Sequence, residues 1–183
     1  MVKLLLVFAS LLALGPVRAS AELKPDKIYV AEGKKQKFYV RDGLITGGDR
    51  AINEVVVRDI RRANNPGGFE RVVIDLEGTR SGEPAAIERP PYYQLAVTPD
   101  ERRLVFTVWG NPKLGFDSKK VIAAFKKSKA VESLVLYPRV EENLWTFAME
   151  LRSGNPVEGF ELSDPVRIIV DIRTAGDGKP RKR

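Results

Sequence analysis

Residues 131–173, close to the end of the chain, constrain its fold more than any other segment. Apolar and polar side chains alternate through this stretch, with one interruption at Ser163-Asp164-Pro165. A period of two places successive side chains on opposite faces of a strand, and Asp before Pro is typical of a tight turn. The stretch therefore predicts a β-hairpin with one apolar face. A looser copy of the pattern at 92–109 indicates that the whole protein is built from strands.

The first 21 residues have the pattern of a secretory leader. Lys3 precedes an uncharged apolar run at 4–14, and Ala19-Ser20-Ala21 supplies the small residues that a signal peptidase reads. The run is shorter than the roughly 20 residues that cross a bilayer, which disfavours an uncleaved anchor. We expect cleavage after Ala21, export to the periplasm, and no integral membrane segment in the mature chain.

Missing residue types exclude several kinds of chemistry. The chain has no Cys and no His, which removes thiolate nucleophiles, disulfide bonds, the commonest general base and the commonest metal ligand. No cluster of Asp and Asn has the spacing of a calcium loop. A glycoside hydrolase needs two positioned carboxylates, and no spacing singles out a pair among Glu77, Glu83, Glu88 and Glu141-Glu142. The sequence predicts no catalytic residue, no metal and no cofactor.

Positive charge is concentrated at the end of the chain. The formal net charge is +7, and loss of Lys3 and Arg18 with the leader would lower it to +5. Four basic residues and one Asp in the last eight positions account for +3 of this. A nucleic-acid-binding protein spreads basic side chains over one face, so we expect no nucleic-acid partner. The basic tail at 174–183 is either a solvated end or a contact for an anionic polymer or membrane surface.

Patterning predicts strands and one helix between the leader and the tail. A polar segment at 22–36 holds a short strand at 28–30, and Asp42-Gly43 predicts a hairpin between 37–41 and 44–46. Gly and Pro at 77–91 predict a long loop. Further strands are predicted at 54–60, 69–76, 92–97, 104–109, 131–137, 144–151, 157–162 and 166–172. The order is similar in both halves, so the fold class is all-β with one short helix, an antiparallel β-sandwich built from two similar halves.

The one predicted helix begins at Asp117 or Ser118 and runs to about Lys129. Its apolar residues fall on one helical face and its lysines point away from that face. We interpret it as a crossover that packs on the sheet. The alternative is a basic amphipathic helix lying on a membrane.

The final hairpin resembles the AMIN domain, a bacterial envelope module found at the front of periplasmic amidases and of pilus secretins. The resemblance rests on residues 159–172, where an aromatic residue, Leu, Asp-Pro, Arg and an apolar run ending in Asp are similar to the closing signature of that family. It covers about a quarter of the chain well. It is looser at 71–76 and 92–109, where Asp100 follows Pro99 and Thr107 replaces the closing Asp.

The resemblance implies an AMIN-like β-sandwich domain over 37–173. A module of this family binds peptidoglycan or docks on an envelope partner. It performs no catalysis, since the amidases of the family carry their zinc site in a separate domain.

Two arginines are the first candidate ligand contacts. Arg103 and Arg167 begin strands after tight turns, and a guanidinium fork suits carboxylates such as those of peptidoglycan stem peptides. Alternatively, each arginine pairs with a nearby Asp, for example Asp164, and fastens its own turn. Asp164 precedes Pro165 and is expected to cap that turn through its side chain.

Aromatic side chains are the second set of candidates. Alternation places Tyr92 and Tyr93 on opposite faces, so at most one of them lies in the core. The other is then free to stack on a sugar ring beside the Pro-rich loop. Trp109 and Trp145 are further candidates for stacking, although aromatic residues most often fill cores.

These features favour a non-enzymatic periplasmic protein that binds peptidoglycan or localises a partner at the cell wall. The alternative is an assembly or interaction factor for an envelope or secretin-type complex. Such a factor would recruit another protein by adding a strand to an exposed sheet edge.

Overall fold

The structure is a computed structural model that describes residues 25–139 and 143–174. The predicted leader at 1–21, the beginning of the polar segment at 22–24 and the tail from 175 lie outside these residues, as does the pair Glu141-Glu142. No helix in the two described ranges is long and apolar enough to cross a lipid bilayer.

Two sheets pack face to face, which confirms the predicted sandwich. We call them the front sheet and the back sheet. In spatial order, the front sheet contains β1 (Ile28–Val30), β2 (Gly43–Gly47), β6 (Tyr93–Thr98), β7 (Arg103–Trp109), β10 (Leu144–Leu151) and β9 (Val131–Leu136). The back sheet contains β11 (Val157–Ser163), β12 (Val166–Arg173), β4 (Phe69–Arg80), β3 (Val55–Asn65) and β8 (Lys113–Leu114), with β5 (Glu83–Ala85) paired to β4. All pairs are antiparallel except β1 with β2 and β3 with β8.

The two halves of the chain share one core. The first half supplies hairpin β3–β4 to the back sheet and β6–β7 to the front sheet, and the second half supplies β9–β10 and β11–β12 in the opposite order. The halves meet within each sheet, since β7 pairs with β10 and β4 with β12. A single cluster of buried apolar side chains from both halves fills the space between the sheets.

The alternating pattern explains how each strand meets this core. On β7, Leu104, Phe106 and Val108 are fully buried, and the residues between them are partly exposed on the outer face. Buried rings from neighbouring strands continue the core, because the centroid of Phe106 lies 5.9 Å from that of Tyr93 and 4.9 Å from that of Phe147. The first pair is stacked and the second is tilted, and aromatic contacts at such separations add to the stabilisation from burial.

The predicted hairpin around Asp42-Gly43 is wrong. Residues 37–41 form no strand, and Val40 instead exchanges two backbone hydrogen bonds with Val157 of β11, at 2.6 and 2.7 Å. The ammonium of Lys35 pairs with Asp171 and lies 3.2 Å from a carboxylate oxygen of Glu158. These long-range contacts hold the segment 31–40, which we call the strap, along the edge of the back sheet.

The predicted loop at 77–91 is also partly wrong. Strand β4 continues to Arg80 and turns back into β5 through Ser81-Gly82, whose φ angles are +52° and +88°. Two successive residues with positive φ are typical of the two-residue turn that fits the twist of a hairpin. The two-residue strand β8 was not predicted.

Besides one 3-10 turn at Pro25–Lys27, the one α-helix of the described residues is α1 (Ser118–Phe125), which begins after the N-cap Asp117. Val121 and Phe125 are buried, which confirms that the helix packs on the sandwich. It ends four residues earlier than predicted, because the chain must turn toward β9. The backbone N–H of Ser128 donates to the carbonyl oxygen of Phe125 at 2.9 Å.

A buried glutamate fixes the connection from α1 to β9. The Glu70 side chain is fully buried and accepts hydrogen bonds from the N–H groups of Lys129, at 2.9 Å, and Ala130, at 3.1 Å. It also pairs with Arg62 at 2.9 Å, and Arg62 donates to the carbonyl oxygen of Ala124 at 2.9 Å. Without Glu70, the N–H of the buried Ala130 and the guanidinium of Arg62 would lose their acceptor.

We expect Glu70→Ala to lower the free energy of unfolding by about 2–4 kcal/mol, because the substitution leaves two backbone N–H groups and a guanidinium without an acceptor. Glu132→Ala, at an exposed position of β9, is the control and should change stability by less than about 0.5 kcal/mol. Urea unfolding measures both. Equal effects of the two substitutions would contradict the role given to Glu70.

Candidate functional site

The two candidate arginines lie on opposite outer faces of the sandwich. Arg103 lies on β7, where its neighbour Leu104 points into the core, so Arg103 points outward from the front sheet. Arg167 lies on β12 beside the buried Ile168 and points outward from the back sheet. Stacked sheets are about 10 Å apart, and both side chains point away from the space between them. They cannot grip one ligand group together.

Arg167 is held by an acid other than the one expected. Its Nε donates to Asp75 of β4 at 2.9 Å, and Arg61 of β3 donates twice to the same carboxylate, at 2.6 and 3.0 Å. Burial raises the pKa of Asp75, but hydrogen bonds and attraction from the two arginines outweigh burial and hold the pKa below its ordinary value. Asp164 is exposed in the turn from β11 to β12, and has no hydrogen bond or ion pair with another described residue.

The guanidinium of Arg103, unlike that of Arg167, forms no ion pair with a described residue. One of its terminal nitrogens donates to the hydroxyl of Tyr137, and its Nε is buried without a hydrogen-bond partner among the described residues. Glu150 is its cross-strand neighbour on β10, but the two side chains form no ion pair.

Tyr92 and Tyr93 divide between surface and core as alternation predicts. Tyr93 is fully buried, and burial together with the nearby carboxylate of Glu161 raises its pKa well above the ordinary value. Tyr92 is partly exposed on the outer face of the front sheet. Trp145 is buried as well, which removes it from the candidates for stacking. Trp109 is partly exposed and lies next to Tyr92.

Tyr92 and Trp109 line a groove of about 430 Å³ at one end of the front sheet. Their ring centroids are 5.1 Å apart and their planes meet at 46°, so the two rings form an angled pair. The guanidinium carbon of Arg50 lies 4.5 Å from the Tyr92 centroid. The other residues that line the groove are Ile52, Asn53, Gln94, Gly110, Asn111 and Asn143.

Hydrogen bonds fix the shape of the groove. The Gln94 side-chain amide donates to the Tyr92 hydroxyl at 2.8 Å, and the backbone N–H of Trp109 donates to the backbone carbonyl oxygen of Tyr92 at 2.9 Å. The Asn111 amide donates to the carbonyl oxygen of Asn53 at 2.9 Å. These bonds connect the start of β6, the end of β7 and the loop before β3. The groove is therefore formed before any ligand arrives.

Two glycines let the loops that form the groove approach one another closely. Gly48 has a φ of +81°, and a Cβ there would lie 2.1 Å from the carbonyl oxygen of Pro91. Gly110 has a φ of +88°, and a Cβ there would lie 2.6 Å from the carbonyl oxygen of Ile52. Any other residue would be strained at both positions, so these glycines maintain the walls of the groove.

The groove continues onto the open outer face of the front sheet. The strand registers place the polar side chains of Thr46, Gln94, Thr107 and Thr146 in one row across four strands. The next row is apolar and contains Ile28, Leu44, Ala96, Val105, Ala148 and Val135. No other helix or strand within the described ranges packs across this face. Since Gln94 belongs to both the groove and the polar row, the two surfaces are continuous.

The candidate carboxylates for hydrolysis do not assemble in the groove. Glu77 pairs with Arg58 on the back sheet, and Glu83 and Glu88 are exposed near β5. The part of the groove lining that the structure describes consists of amide, aromatic, aliphatic and guanidinium groups. No group of three or more potential metal-ligating side chains occurs in the described ranges.

Sequence reasoning identified Tyr92 and Trp109 but missed the polar groups around them. Arg50, Asn53, Asn111 and Asn143 belong to separate loops, and their spacing in the chain carries no signal. A family-model scan gives no match to this chain, and a comparison with curated proteins gives none either. The AMIN resemblance of residues 131–172 therefore stays a prediction.

We expect Asp75→Asn to lower the free energy of unfolding at neutral pH by about 1 kcal/mol, allowing for partial exposure of the carboxylate. The pKa of Asp75 is lower in the folded state, so its contribution is present above the pKa of the unfolded state and is lost as pH falls through the folded value. The difference between the parent and the variant should therefore shrink at about pH 3. Urea unfolding at both pH values measures it.

Asp100→Asn, at an exposed turn position, is the control for this substitution. It should leave stability unchanged at both pH values. A deficit of Asp75→Asn that is the same in acid and at neutral pH would contradict the pairing with Arg61 and Arg167.

Proposed function

We propose that this protein binds the glycan chains of peptidoglycan, without catalysis, in the bacterial periplasm. The observation that carries the proposal is the angled pair of Tyr92 and Trp109 in a groove lined by amides. Aromatic faces pack against the C–H faces of sugar rings. A concave site with apolar walls and a few fixed polar groups is the usual form of a small-molecule site.

The polar groups of the groove fit N-acetylated sugars. Side-chain amides both donate and accept hydrogen bonds, which suits hydroxyl and acetamido groups. Arg50 forms no ion pair with a described residue, so its guanidinium remains available for a carboxylate of the lactyl group or stem peptide. The polar row beyond Gln94 gives an extended chain a surface to lie on. Export through the leader at 1–21 would bring the protein to this ligand.

The proposal moves the binding site away from the arginines first considered. Arg167 already shares Asp75 with Arg61. Arg103 lies six residues along β7 from Trp109, about 20 Å at the rise of an extended strand. A sugar in the groove, or a glycan chain that follows the polar row across the strands at Thr107, would not reach Arg103.

We expect Tyr92→Ala and Trp109→Ala each to weaken sedimentation with purified sacculi by about tenfold, corresponding to about 1.4 kcal/mol for a lost stacking surface. The double variant Arg103→Ala with Arg167→Ala is the control and should sediment like the parent. Binding that survives both aromatic substitutions and disappears with the arginine pair would overturn the groove as the site.

The same sacculi test the absence of catalysis. Incubation with the purified protein should release no soluble muropeptides. Release that depends on a carboxylate of this chain would make the protein a hydrolase.

The alternative function, recruitment of an envelope protein through a strand edge, is favoured by one observation. Strand β9 is the six-residue edge of the front sheet and pairs only with β10 among the described strands. By contrast, the strap at 31–40 occupies the edge of β11. A photo-crosslinker at the exposed Glu132 distinguishes the two functions, because a single protein adduct supports recruitment and glycan-linked ladders support wall binding.

A further inference from the structure

Four lysines on and just after α1 form an exposed basic surface, which we call the lysine face. It consists of Lys119, Lys120, Lys126 and Lys127, all exposed. Successive helical residues are rotated by about 100°, so Lys119 and Lys120 lie roughly 120–140° around the axis from the buried Val121 and Phe125. Lys126, the C-cap, keeps helical angles of φ −56° and ψ −25°, and extends the same face.

The charge of this face is not neutralised. Elsewhere on the surface, Arg58, Arg61, Arg71, Arg89 and Arg167 all pair with carboxylates. No lysine of the lysine face forms an ion pair or a side-chain hydrogen bond with a described residue. Other basic residues of the described ranges, such as Lys34, Arg41 and Arg50, are also unpaired, but the lysine face brings four unpaired lysines together on and just after one short helix.

An exposed apolar side chain accompanies the lysines. Ile122 of α1 is 37% exposed, one of five large apolar residues that are exposed in the described ranges. Ile122 lies on the helix between Lys119 and Lys126, at the border of the buried side. An exposed apolar side chain adds little to the binding of a soluble polyanion. At the surface of a lipid bilayer, the same side chain can be buried at the boundary between headgroups and acyl chains.

The support under this surface is rigid. Glu70 fixes the chain just after the lysines through the N–H groups of Lys129 and Ala130, and Arg62 holds the carbonyl oxygen of Ala124. The helix packs against β9 and β3, and therefore lies at the side of the sandwich, away from the outer face of the front sheet. The lysine face and the groove can be occupied at the same time.

We propose that the lysine face binds the surface of a membrane that contains anionic phospholipids. Each ammonium group acts as a point charge against the negative headgroup layer, and the exposed Ile122 contacts its apolar boundary. Recognition of nucleic acid is less well supported, because the face presents neither arginine forks nor exposed aromatic rings. The inference does not depend on glycan binding in the groove.

The test is sedimentation with vesicles, using the protein as isolated from cells. Binding to phosphatidylcholine vesicles that contain phosphatidylglycerol should exceed binding to phosphatidylcholine alone, and should fall as salt is added. Lys119→Gln with Lys126→Gln should weaken it by roughly 30-fold, about fivefold for each lysine. Thermal unfolding checks that the variant keeps its fold.

A matched control removes two positive charges elsewhere. Lys34→Gln with Arg41→Gln changes exposed residues in or beside the strap and should retain binding. Equal losses in the two double variants would overturn the proposal, because binding would then depend on net charge alone. Lysine-dependent binding to soluble polyphosphate without binding to the vesicles would overturn it in favour of a polyanion. Trp109→Ala should leave vesicle binding unchanged.

Discussion

The pairing of β4 with β12, and of β7 with β10, holds the rest of the structure together. Arg71 and Asp171 face one another across the first pair although they are 100 residues apart in the chain. Closing so long a loop costs conformational entropy, which burial of the shared apolar cluster offsets. Both hairpins of one half would lose their central neighbours without these pairs, and no part of the chain would retain a closed core.

This arrangement gives the surfaces of the sandwich different properties. The outer face of the back sheet is neutralised by ion pairs around Asp75 and Asp171, and the strap covers its β11 edge. The front sheet keeps an open face that leads into the groove at Tyr92 and Trp109. Four unpaired lysines lie together at the side of the sandwich, on and just after α1. The groove and the lysine face are free for ligands. The groove offers aromatic rings and amides, and the lysine face offers positive charge.

The pattern of apolar and polar residues could predict those features of the fold that depend only on residues close together in the chain. The strands at 28–30 and 144–151 agree with β1 and β10 to the residue, since alternation is a local property. The partner of a strand is not local. Asp42-Gly43 indicated a hairpin, but Val157, over a hundred residues away, provides the hydrogen bonds that Val40 uses. The amides of the groove likewise come from separate loops, so only its two aromatic residues were accessible to sequence reasoning.

The most direct test of the account is an NMR titration with a soluble β-1,4-linked N-acetylglucosamine oligosaccharide. If the groove binds glycan chains, the largest shift changes should occur at the Trp109 indole, the Gln94 side-chain amide and the backbone around Asn111, and then extend along the polar row of the front sheet. The back sheet around Arg167 should not respond. Changes centred on Arg167, or no change at concentrations that saturate other glycan-binding domains, would contradict the account.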